Sequence, residues 1–564
     1  MVGRIPVMDV SPLADLGRQA AKATAGEPFP VSATVFREGH DKLGAEVVLA
    51  DPAGRRRPPT RMARHESVPD LYEAWVTPDL EGAWTYEVHA WSDPVATWQH
   101  AAGLKIPAGV DVDLMFAEGR LLLEKVAADR SLDEEARAVV QGAIAAAQGT
   151  SRPVEARLAG LESPELREVL AAHPVRELVT VEGPHPVYAD RPRALFGSWY
   201  EFFPRSEGAT VDDSTGAVTS GTLATAARRL DAVAAMKFDV IYLPPVHPIG
   251  EVNRKGPNNT LDPGPGNPGS PWAIGSRYGG HDAIHPDLGT FDDFDAFVAR
   301  AKELGLEVAI DLALQTAPDH PWVSTHPEWF TTQADGTIAY AENPPKKYQD
   351  IFPLNFDNDP AGAYAEVRRV VQVWIDHGVK IFRVDNPHTK PVAFWQWLIA
   401  DVALEHPDVI WLAEAFTKPA MMHTLAKAGF QQSYTYYAWR NLRWELEEYL
   451  QELSGDAAAY MRLSFWPTTH DILTPYMQYG GPTAWMLRAA LAATLVPTYG
   501  IYAGYELMEN VARQGAEEQV DNEKYQYKDR RWEDYEEGGA KEGQSLSGFL
   551  TKLNAIRRSH PSLH

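Results

Sequence analysis

Arg383 and Asp385 are the pair of side chains in this sequence that could most directly do chemistry. They lie in the run Ile381-Phe382-Arg383-Val384-Asp385, whose hydrophobic start is typical of a buried parallel strand. Side chains two residues apart on a strand point to the same face, so the guanidinium would lie beside the carboxylate and keep it ionised. Such a carboxylate could act as a nucleophile. For an isolated Arg-x-Asp pair, the alternative is a structural salt bridge at the end of a strand.

Two more acids follow apolar runs further along the chain. The segment 409–416 contains Glu414, and the segment 463–471 ends in His470-Asp471. Acids at the C-terminal ends of three strands, with helical segments between them, are typical of the mouth of a parallel barrel. We therefore predict an α/β fold built on a (β/α)8 TIM barrel with its chemistry at this face.

Composition restricts the class of protein. At 564 residues the chain is too long for one core, and its lack of cysteine excludes disulfides, thiolate catalysis and cysteine-bound metals. A formal net charge of −25 disfavours nucleic acid and anionic membranes as partners. No signal peptide or membrane-spanning run is visible, so we expect a cytoplasmic protein. No cluster of His and acidic residues indicates a catalytic metal, and we expect no cofactor.

Hydrophobic periodicity divides the chain into segments. Short strands separated by Pro, Gly and Asp turns over residues 1–110 predict an N-terminal β-sandwich. Residues 111–175 have helical periodicity and form a predicted helical insert, in which Ser131 with Glu134 and Ser163 with Pro164 are predicted helix starts. Residues 176–194 would be a return strand and linker. Residues 195–564 alternate between strand and helix patterns and form the predicted catalytic barrel, with a small inserted domain at about 317–359.

The strand-end motifs carry a resemblance to a known family. Arg383-x-Asp385, then Glu414, then His470-Asp471 resemble the motifs of the α-amylase clan, glycoside hydrolase family 13. Within that clan, the segments 382–391 (FRVDNPHTKP) and 343–350 (NPPKKYQD) resemble the maltosyltransferases that build α-1,4-glucan from maltose 1-phosphate. The likeness extends from about Leu195 to the C-terminus and is weaker over the N-terminal third.

The resemblance implies roles for the acids. Asp385 would attack the anomeric carbon, Glu414 would protonate the leaving oxygen, and Asp471 would hold sugar hydroxyls and favour the transition state. Arg383 would keep Asp385 charged.

The resemblance also implies a phosphate-bearing donor and its binding site. Gln315-Thr316 replaces the Asn-His that amylases have after the third strand, as in the maltosyltransferases. Thr468-Thr469-His470 departs from the Asn-Thr-Pro usual in that family. The residues implied to bind the donor are Lys255, Gln315, Asn343, Lys346, Tyr348, Asp350, Asn386, Lys524 and Tyr525.

We predict a retaining transferase that moves maltosyl units from maltose 1-phosphate to the non-reducing 4-hydroxyl of an α-1,4-glucan. The alternatives are an α-glucan hydrolase or transglycosidase and, from another class, an inactive glucan-binding protein. The resembled family uses its helical insert in dimer contacts, so we expect a homodimer. Amylase-clan enzymes normally carry a C-terminal β-domain after the barrel. This sequence stops at His564 without one, so either it is truncated or it is a variant that lacks the domain.

Overall fold

The strands that carry the candidate acids belong to one closed barrel in the computed structural model of the protein. The structure describes residues 3–212, 218–264, 266–343 and 346–564, excluding the side chains of Val211, Asn343 and Lys346. The chain forms two compact units, Met1–Ala189 and Asp190–His564.

The first unit contains two β-sheets that share a core. Its strands are β1 (Val7–Ser11), β2 (Ala21–Thr24), β3 (Phe29–Val35), β4 (Leu43–Ala50), β5 (Thr60–Arg61), β6 (Ala63–Arg64), β7 (Leu71–Val76), β8 (Gly82–Ser92) and β9 (Glu177–Asp190). One sheet has the order β1-β3-β7-β6, and the other has the order β2-β9-β8-β4-β5. Val31 from the first sheet packs in one cluster with Val47 and Trp84 from the second, as in a β-sandwich.

Helices lie between β8 and β9 in the sequence. They are α1 (Pro94–Lys105), α2 (Val112–Ala127), α3 (Glu134–Gln148), α4 (Val154–Leu161) and α5 (Pro164–Ala172), and they have a core of their own. Ser163 caps α5, with proline in its first turn, as predicted. The helix start predicted at Ser131 is wrong, because α3 begins at Glu134 and its N-cap is Asp133. The Ser131 hydroxyl donates to Asp129 instead, at 2.8 Å.

The second unit is the barrel with its surrounding helices and loops. Its strands are β10 (Gly197–Glu201), β11 (Thr210–Val211), β12 (Val218–Thr219), β13 (Val240–Leu243), β14 (Glu307–Leu312), β15 (Gln315–Thr316), β16 (Ala341–Asn343), β17 (Lys346–Tyr348), β18 (Phe352–Pro353), β19 (Ile381–Asp385), β20 (Ile410–Glu414), β21 (Gln432–Tyr434), β22 (Leu463–Phe465) and β23 (Thr498–Tyr502). Its helices are α6 (Leu223–Ala226), α7 (Arg229–Ala235), α8 (Phe291–Glu303), α9 (Pro321–Thr325), α10 (Pro360–Asp376), α11 (Val392–Glu405), α12 (Pro419–Lys427), α13 (Arg443–Ser454), α14 (Pro475–Tyr479), α15 (Gly481–Leu495) and α16 (Ser547–Ser559).

The barrel closes in the order β10-β13-β14-β19-β20-β21-β22-β23, and β10 pairs in parallel with β23. These eight strands, all within the described residues, confirm the predicted TIM barrel. The segment predicted as a small inserted domain, 317–359, contains α9 and the antiparallel pair β16–β17.

Alternation along β19 explains the position of the candidate nucleophile. Phe382 and Val384 pack outward into the core beneath the helices, whereas Ile381 packs in the separate cluster inside the barrel. Arg383 and Asp385 therefore share the interior face with Ile381. The interior cluster is rich in aromatic side chains that fill the barrel below the acids: Trp199, Tyr242, Tyr434 and Trp466.

Candidate active site

A cavity of about 680 Å³ opens at the C-terminal ends of the barrel strands. Its walls come from several separate loops and include Asp385, Glu414 and Asp471. Of the other predicted residues, those that line it are Gln315, Tyr348, Asp350, Asn386, Lys524 and Tyr525. The structure therefore brings nine predicted residues to one cavity at the face where barrel enzymes place their chemistry.

Arg383 lies under the cavity and contacts several acids. Its Nη1 donates to Asp385 Oδ1 and to Asp311 Oδ2, both at 2.9 Å. The guanidinium is buried between the rings of Tyr242 and Tyr434. Because the guanidinium is buried, its attraction for these acids at the base of the site is strong.

Asp385 remains ionised although it is buried. Burial alone would raise the pKa of its carboxyl, but the nearby Arg383, Lys390 and Lys524 outweigh this effect and hold the pKa below its ordinary value. Its second oxygen, Oδ2, accepts long hydrogen bonds from Gln315 and Asn386, each at 3.3 Å. A charged and oriented carboxylate of this kind can act as a nucleophile.

Glu414 has the opposite electrostatic character. It stands in register with Asp385 on the neighbouring strand, and its Oε1 is 3.7 Å from Arg383 Nη2. Burial raises the pKa of Glu414 to about 7, and the negative charge of Asp385 adds to the rise. A carboxyl group that keeps its proton near neutral pH can act as a general acid.

Asn386 contacts both acids from a left-handed backbone conformation. Its φ is 42°, a value that asparagine adopts more readily than most residues. Its backbone N–H donates to Glu414 Oε2 at 3.1 Å, while its side chain reaches Asp385. Asn386 therefore fixes the two carboxyl groups relative to each other.

Asp471 lies between two cationic groups. Lys524 Nζ is 3.1 Å from both of its carboxylate oxygens, and His470 Nε2 is 3.0 Å from Oδ2. Burial opposes ionisation, but Lys524 and His470 hold the pKa of Asp471 well below its ordinary value. The expectation that Asp471 ends a strand is wrong, because β22 ends at Phe465. Pro467 follows two residues later and has no N–H for the sheet, so Asp471 lies on the loop beyond.

Of the remaining predicted residues, some lie near the cavity and others have side chains outside the described residues. Lys255 is buried, and its Nζ donates to the Gln349 side chain at 2.9 Å beside the loop that carries Asp350. Burial raises the pKa of Asp350. The backbones of Asn343 and Lys346 belong to β16 and β17, but their side chains fall outside the described residues.

Sequence reasoning missed several side chains of this site. Trp272 lines the cavity and stacks on His470 with ring centroids 4.4 Å apart. Lys390 also lines it, and its Nζ donates to the backbone carbonyls of Asp385 and Asn386 at 3.4 and 3.3 Å. Lys390 stands five residues after Asp385, within the motif that carried the resemblance, so this position could have identified it as a site residue. Trp272 lies in a loop distant in sequence, and no sequence pattern marked it as a site residue.

Neither a cluster of metal ligands nor a membrane-spanning helix occurs among the described residues. Across the described ranges, no group of three His, Cys, Asp or Glu side chains is placed to hold a metal ion. For example, His281 is buried, and its Nε2 lies 2.8 Å from the backbone carbonyl oxygen of Ala313. In the same ranges, none of the helices has the length and apolar character needed to cross a membrane.

Comparison with known proteins places this site in a family. Residues 3–191 match the family model described as α-1,4-glucan:maltose-1-phosphate maltosyltransferase, domain N/S. The chain is 57% identical over 563 residues to the α-1,4-glucan:maltose-1-phosphate maltosyltransferase of Arcanobacterium haemolyticum, covering 100% of this chain and 81% of the relative. It is also 57% identical to maltosyltransferase 2 of Streptomyces coelicolor, covering 100% of this chain and 83% of the relative.

Among solved structures, the α-amylase of Geobacillus thermoleovorans, in complex with acarbose, superposes with a TM-score of 0.50 at 17% identity. The match covers 65% of this chain and 79% of that chain, and it supports the fold alone. The 57% identity over the whole of this chain is decisive. The chain belongs to the family of α-1,4-glucan:maltose-1-phosphate maltosyltransferases.

Proposed function

We propose that this enzyme transfers maltosyl units from α-maltose 1-phosphate to the non-reducing 4-hydroxyl of α-1,4-glucans, with release of phosphate and retention of configuration. The observation that carries the proposal is the pair Asp385 and Glu414, which stand opposite each other with their pKa values shifted in opposite directions. Its chemistry fits the reaction named for the relatives with which the chain shares 57% identity.

In the first step, a carboxylate oxygen of Asp385 attacks the anomeric carbon of the donor. The bond from that carbon to the phosphate oxygen breaks, and Glu414 gives its proton to the departing phosphate. The product is a maltosyl ester on Asp385. Retaining enzymes of this type place their two carboxyl groups about 5 to 5.5 Å apart, a spacing that neighbouring strand ends can provide.

In the second step, the 4-hydroxyl of the acceptor attacks the same carbon. Glu414, now ionised, takes the hydroxyl proton, and the bond to Asp385 breaks. The glucan is longer by two glucose units, and both acids return to their starting protonation states. Two inversions at one carbon give net retention.

Charged side chains around the two acids would stabilise the transition states of both steps. Arg383 keeps Asp385 ionised and stabilises it as a leaving group in the second step. Asp471 would hold sugar hydroxyls and stabilise the positive charge that develops on the ring.

Recognition of the donor phosphate is the most specific part of the proposal. Lys346 would supply positive charge, and Asn343, Tyr348 and Asn386 would supply neutral donors. Lys255, Gln315, Asp350, Lys524 and Tyr525 would complete the donor site. The support is the cavity that Gln315, Tyr348 and Lys524 share with the catalytic acids.

The test is to incubate the protein with α-maltose 1-phosphate and maltohexaose, then measure phosphate and the masses of the products. We expect phosphate release with chain growth in steps of two glucose units, and neither in Asp385→Ala. Phosphate-independent shortening or reshuffling of maltohexaose would instead favour a hydrolase or transglycosidase. Binding without turnover would favour a glucan-binding protein.

We also propose a cytoplasmic homodimer with the organisation predicted from the sequence: a sandwich with a helical insert, a return strand, and a barrel with an inserted domain at about 317–359. The boundary between compact units at Ala189 and Asp190 supports the separation of the sandwich from the barrel. Light scattering after gel filtration would test the dimer, and cell fractionation would test the location.

A further inference from the structure

Glu201, the last residue of β10, is a buried carboxylate beneath the active-site cavity. It has no exposed surface, and its Oε1 accepts a hydrogen bond from His470 Nδ1. Within the described ranges, its Oε2 has no hydrogen-bond partner. Within the same ranges, no cationic group other than His470 lies within 4 Å of it. A buried carboxylate without a partner is costly, so Glu201 needs its contact with His470.

His470 connects this carboxylate to Asp471. Its Nδ1 faces Glu201, and its Nε2 is 3.0 Å from Asp471 Oδ2. Both ring nitrogens therefore face carboxyl groups, an arrangement that favours a proton on each nitrogen, that is, an imidazolium ring. The ring is 2% exposed and is held flat against Trp272.

Other charges around His470 do not replace Glu201. Lys524 contacts Asp471 on the side toward the cavity. Asp311 on β14 is close enough for His470 to lower its pKa, but its own hydrogen bonds go to Tyr242 and Arg383. Glu201 is therefore the group that balances the charge of His470 on its Nδ1 side, opposite Asp471. Burial opposes protonation of the ring, but Asp471 and Glu201 outweigh it and raise the pKa of His470 to about 10.

We propose that Glu201 is a positioning residue of the transfer reaction: it holds His470 doubly protonated, and His470 together with Lys524 fixes the carboxylate of Asp471 where it meets the sugar. The inference rests on the proposed function only in the role given to Asp471. Glu201 touches no substrate and acts through His470.

The proposal predicts a specific consequence of removing the charge of Glu201. With Glu201→Gln, His470 loses one of its two carboxylates and titrates closer to its ordinary pKa of about 6.5. As the pH rises, the ring becomes neutral, its contact with Asp471 loses strength, and catalysis falls. A merely structural loss would lower the rate by the same factor at every pH.

The experiment measures kcat/KM for α-maltosyl fluoride against pH, because this ratio reports the first step alone, in which fluoride leaves without help from Glu414. The wild-type profile should therefore be nearly flat from about pH 6 to 9. For Glu201→Gln we expect a new decline across this range, reaching about tenfold at its alkaline end. Glu201→Asp keeps the negative charge and should restore the flat profile, even with a lower rate.

The matched control is Glu506→Gln. Glu506 is also fully buried in the barrel unit, but its Oε1 bonds to Arg229 and Tyr200, each at 2.6 Å. This variant should lower the melting temperature without adding pH dependence. A flat profile for Glu201→Gln, or the same decline in Glu506→Gln, would overturn the proposal.

A double-mutant comparison keeps the proposal testable if Glu201→Gln folds poorly. In a His470→Gln background, adding Glu201→Gln should change kcat/KM for the fluoride by less than about twofold, because His470, through which Glu201 acts on Asp471, is already absent. Multiplicative losses would show that Glu201 acts independently of His470. The wild type could turn over the fluoride but fail to use maltose 1-phosphate. That result would contradict the proposed function and would leave this test of Glu201 valid.

Discussion

Asp385 and Glu414 face each other in register across β19 and β20, and a single guanidinium, that of Arg383, contacts Asp385 at 2.9 Å and approaches Glu414 only to 3.7 Å. The closer contact, with additional positive charge from Lys390 and Lys524, explains why Asp385 ionises easily. For Glu414 the largest influence on the pKa is burial, which raises it, so this carboxyl group keeps its proton to higher pH. Two similar side chains thus acquire opposite tendencies to ionise from their surroundings.

The first prediction concerns the pH dependence of the donor reaction. Glu414 must be protonated to assist the departure of phosphate, and its pKa is about 7. We therefore expect kcat/KM for maltose 1-phosphate to be lost as the pH rises through about 7, by about tenfold per pH unit. The fluoride donor is the control, since it needs no acid. A phosphate profile that stays level to pH 9 would argue against Glu414 as the acid.

The second prediction concerns Glu414→Gln, which keeps the shape of the side chain but cannot transfer a proton. With α-maltosyl fluoride, Asp385 can still attack, but no base activates the acceptor in the second step. We expect one maltosyl unit to accumulate on the protein, detectable by intact-mass spectrometry. The adduct should be absent from the double variant that also carries Asp385→Ala; an unmodified mass in Glu414→Gln itself would contradict the assigned roles.

The third prediction concerns stability. Arg383→Gln would remove the buried cation that pairs directly with both Asp311 and Asp385. Breaking a buried ion pair in this way costs about 3 to 5 kcal/mol, which denaturant unfolding would measure. Arg300→Gln is the control, since this arginine pairs with Asp231 and Glu303 on the surface and should cost about 0 to 1 kcal/mol. Equal losses in the two variants would show that the buried network has no special importance.

The fourth prediction concerns recognition of phosphate. If Lys346 contacts the donor phosphate, Lys346→Ala should remove a charge-assisted contact. The activation free energy that corresponds to kcat/KM for maltose 1-phosphate should then rise by roughly 2 to 4 kcal/mol. The fluoride donor should be affected far less. Lys347→Ala removes the neighbouring charge on the same strand, where Lys347 Nζ lies 5.8 Å from the Tyr340 ring, and is the matched control. Equal losses for both donors would assign Lys346 to folding or general sugar binding.

The barrel was predictable because its signal is local. A buried strand such as β19 reads as a hydrophobic run, and period-two alternation places Arg383 and Asp385 on one face without knowledge of any neighbour. The position of Glu414 followed by the same rule. Asp471 did not, because Pro467 stops the strand early and the loop alone decides where the acid lies.

The side chains that support the site were not predictable in the same way. Glu201 ends a strand that lies 269 residues before His470 in the sequence. No local pattern marks one buried glutamate as the partner of one distant histidine. Trp272 is similar, since aromatic residues are common in cores and only the closed barrel places this one against His470. The wrong helix start at Ser131 has a simpler cause, because Asp133 is an equally good cap nearer the helix.

The pairing of β10 with β23 sets the order in which this enzyme can become complete during synthesis. The barrel has no free edge only after Thr498–Tyr502 has emerged and joined Gly197–Glu201, about 300 residues after that first strand was made. Until then the growing chain must hold an open sheet with two unpaired edges, the condition under which nascent proteins associate wrongly and depend on chaperones. Lys524, the partner of Asp471, arrives later still. The candidate active site therefore cannot form before the ribosome has made the chain as far as Lys524.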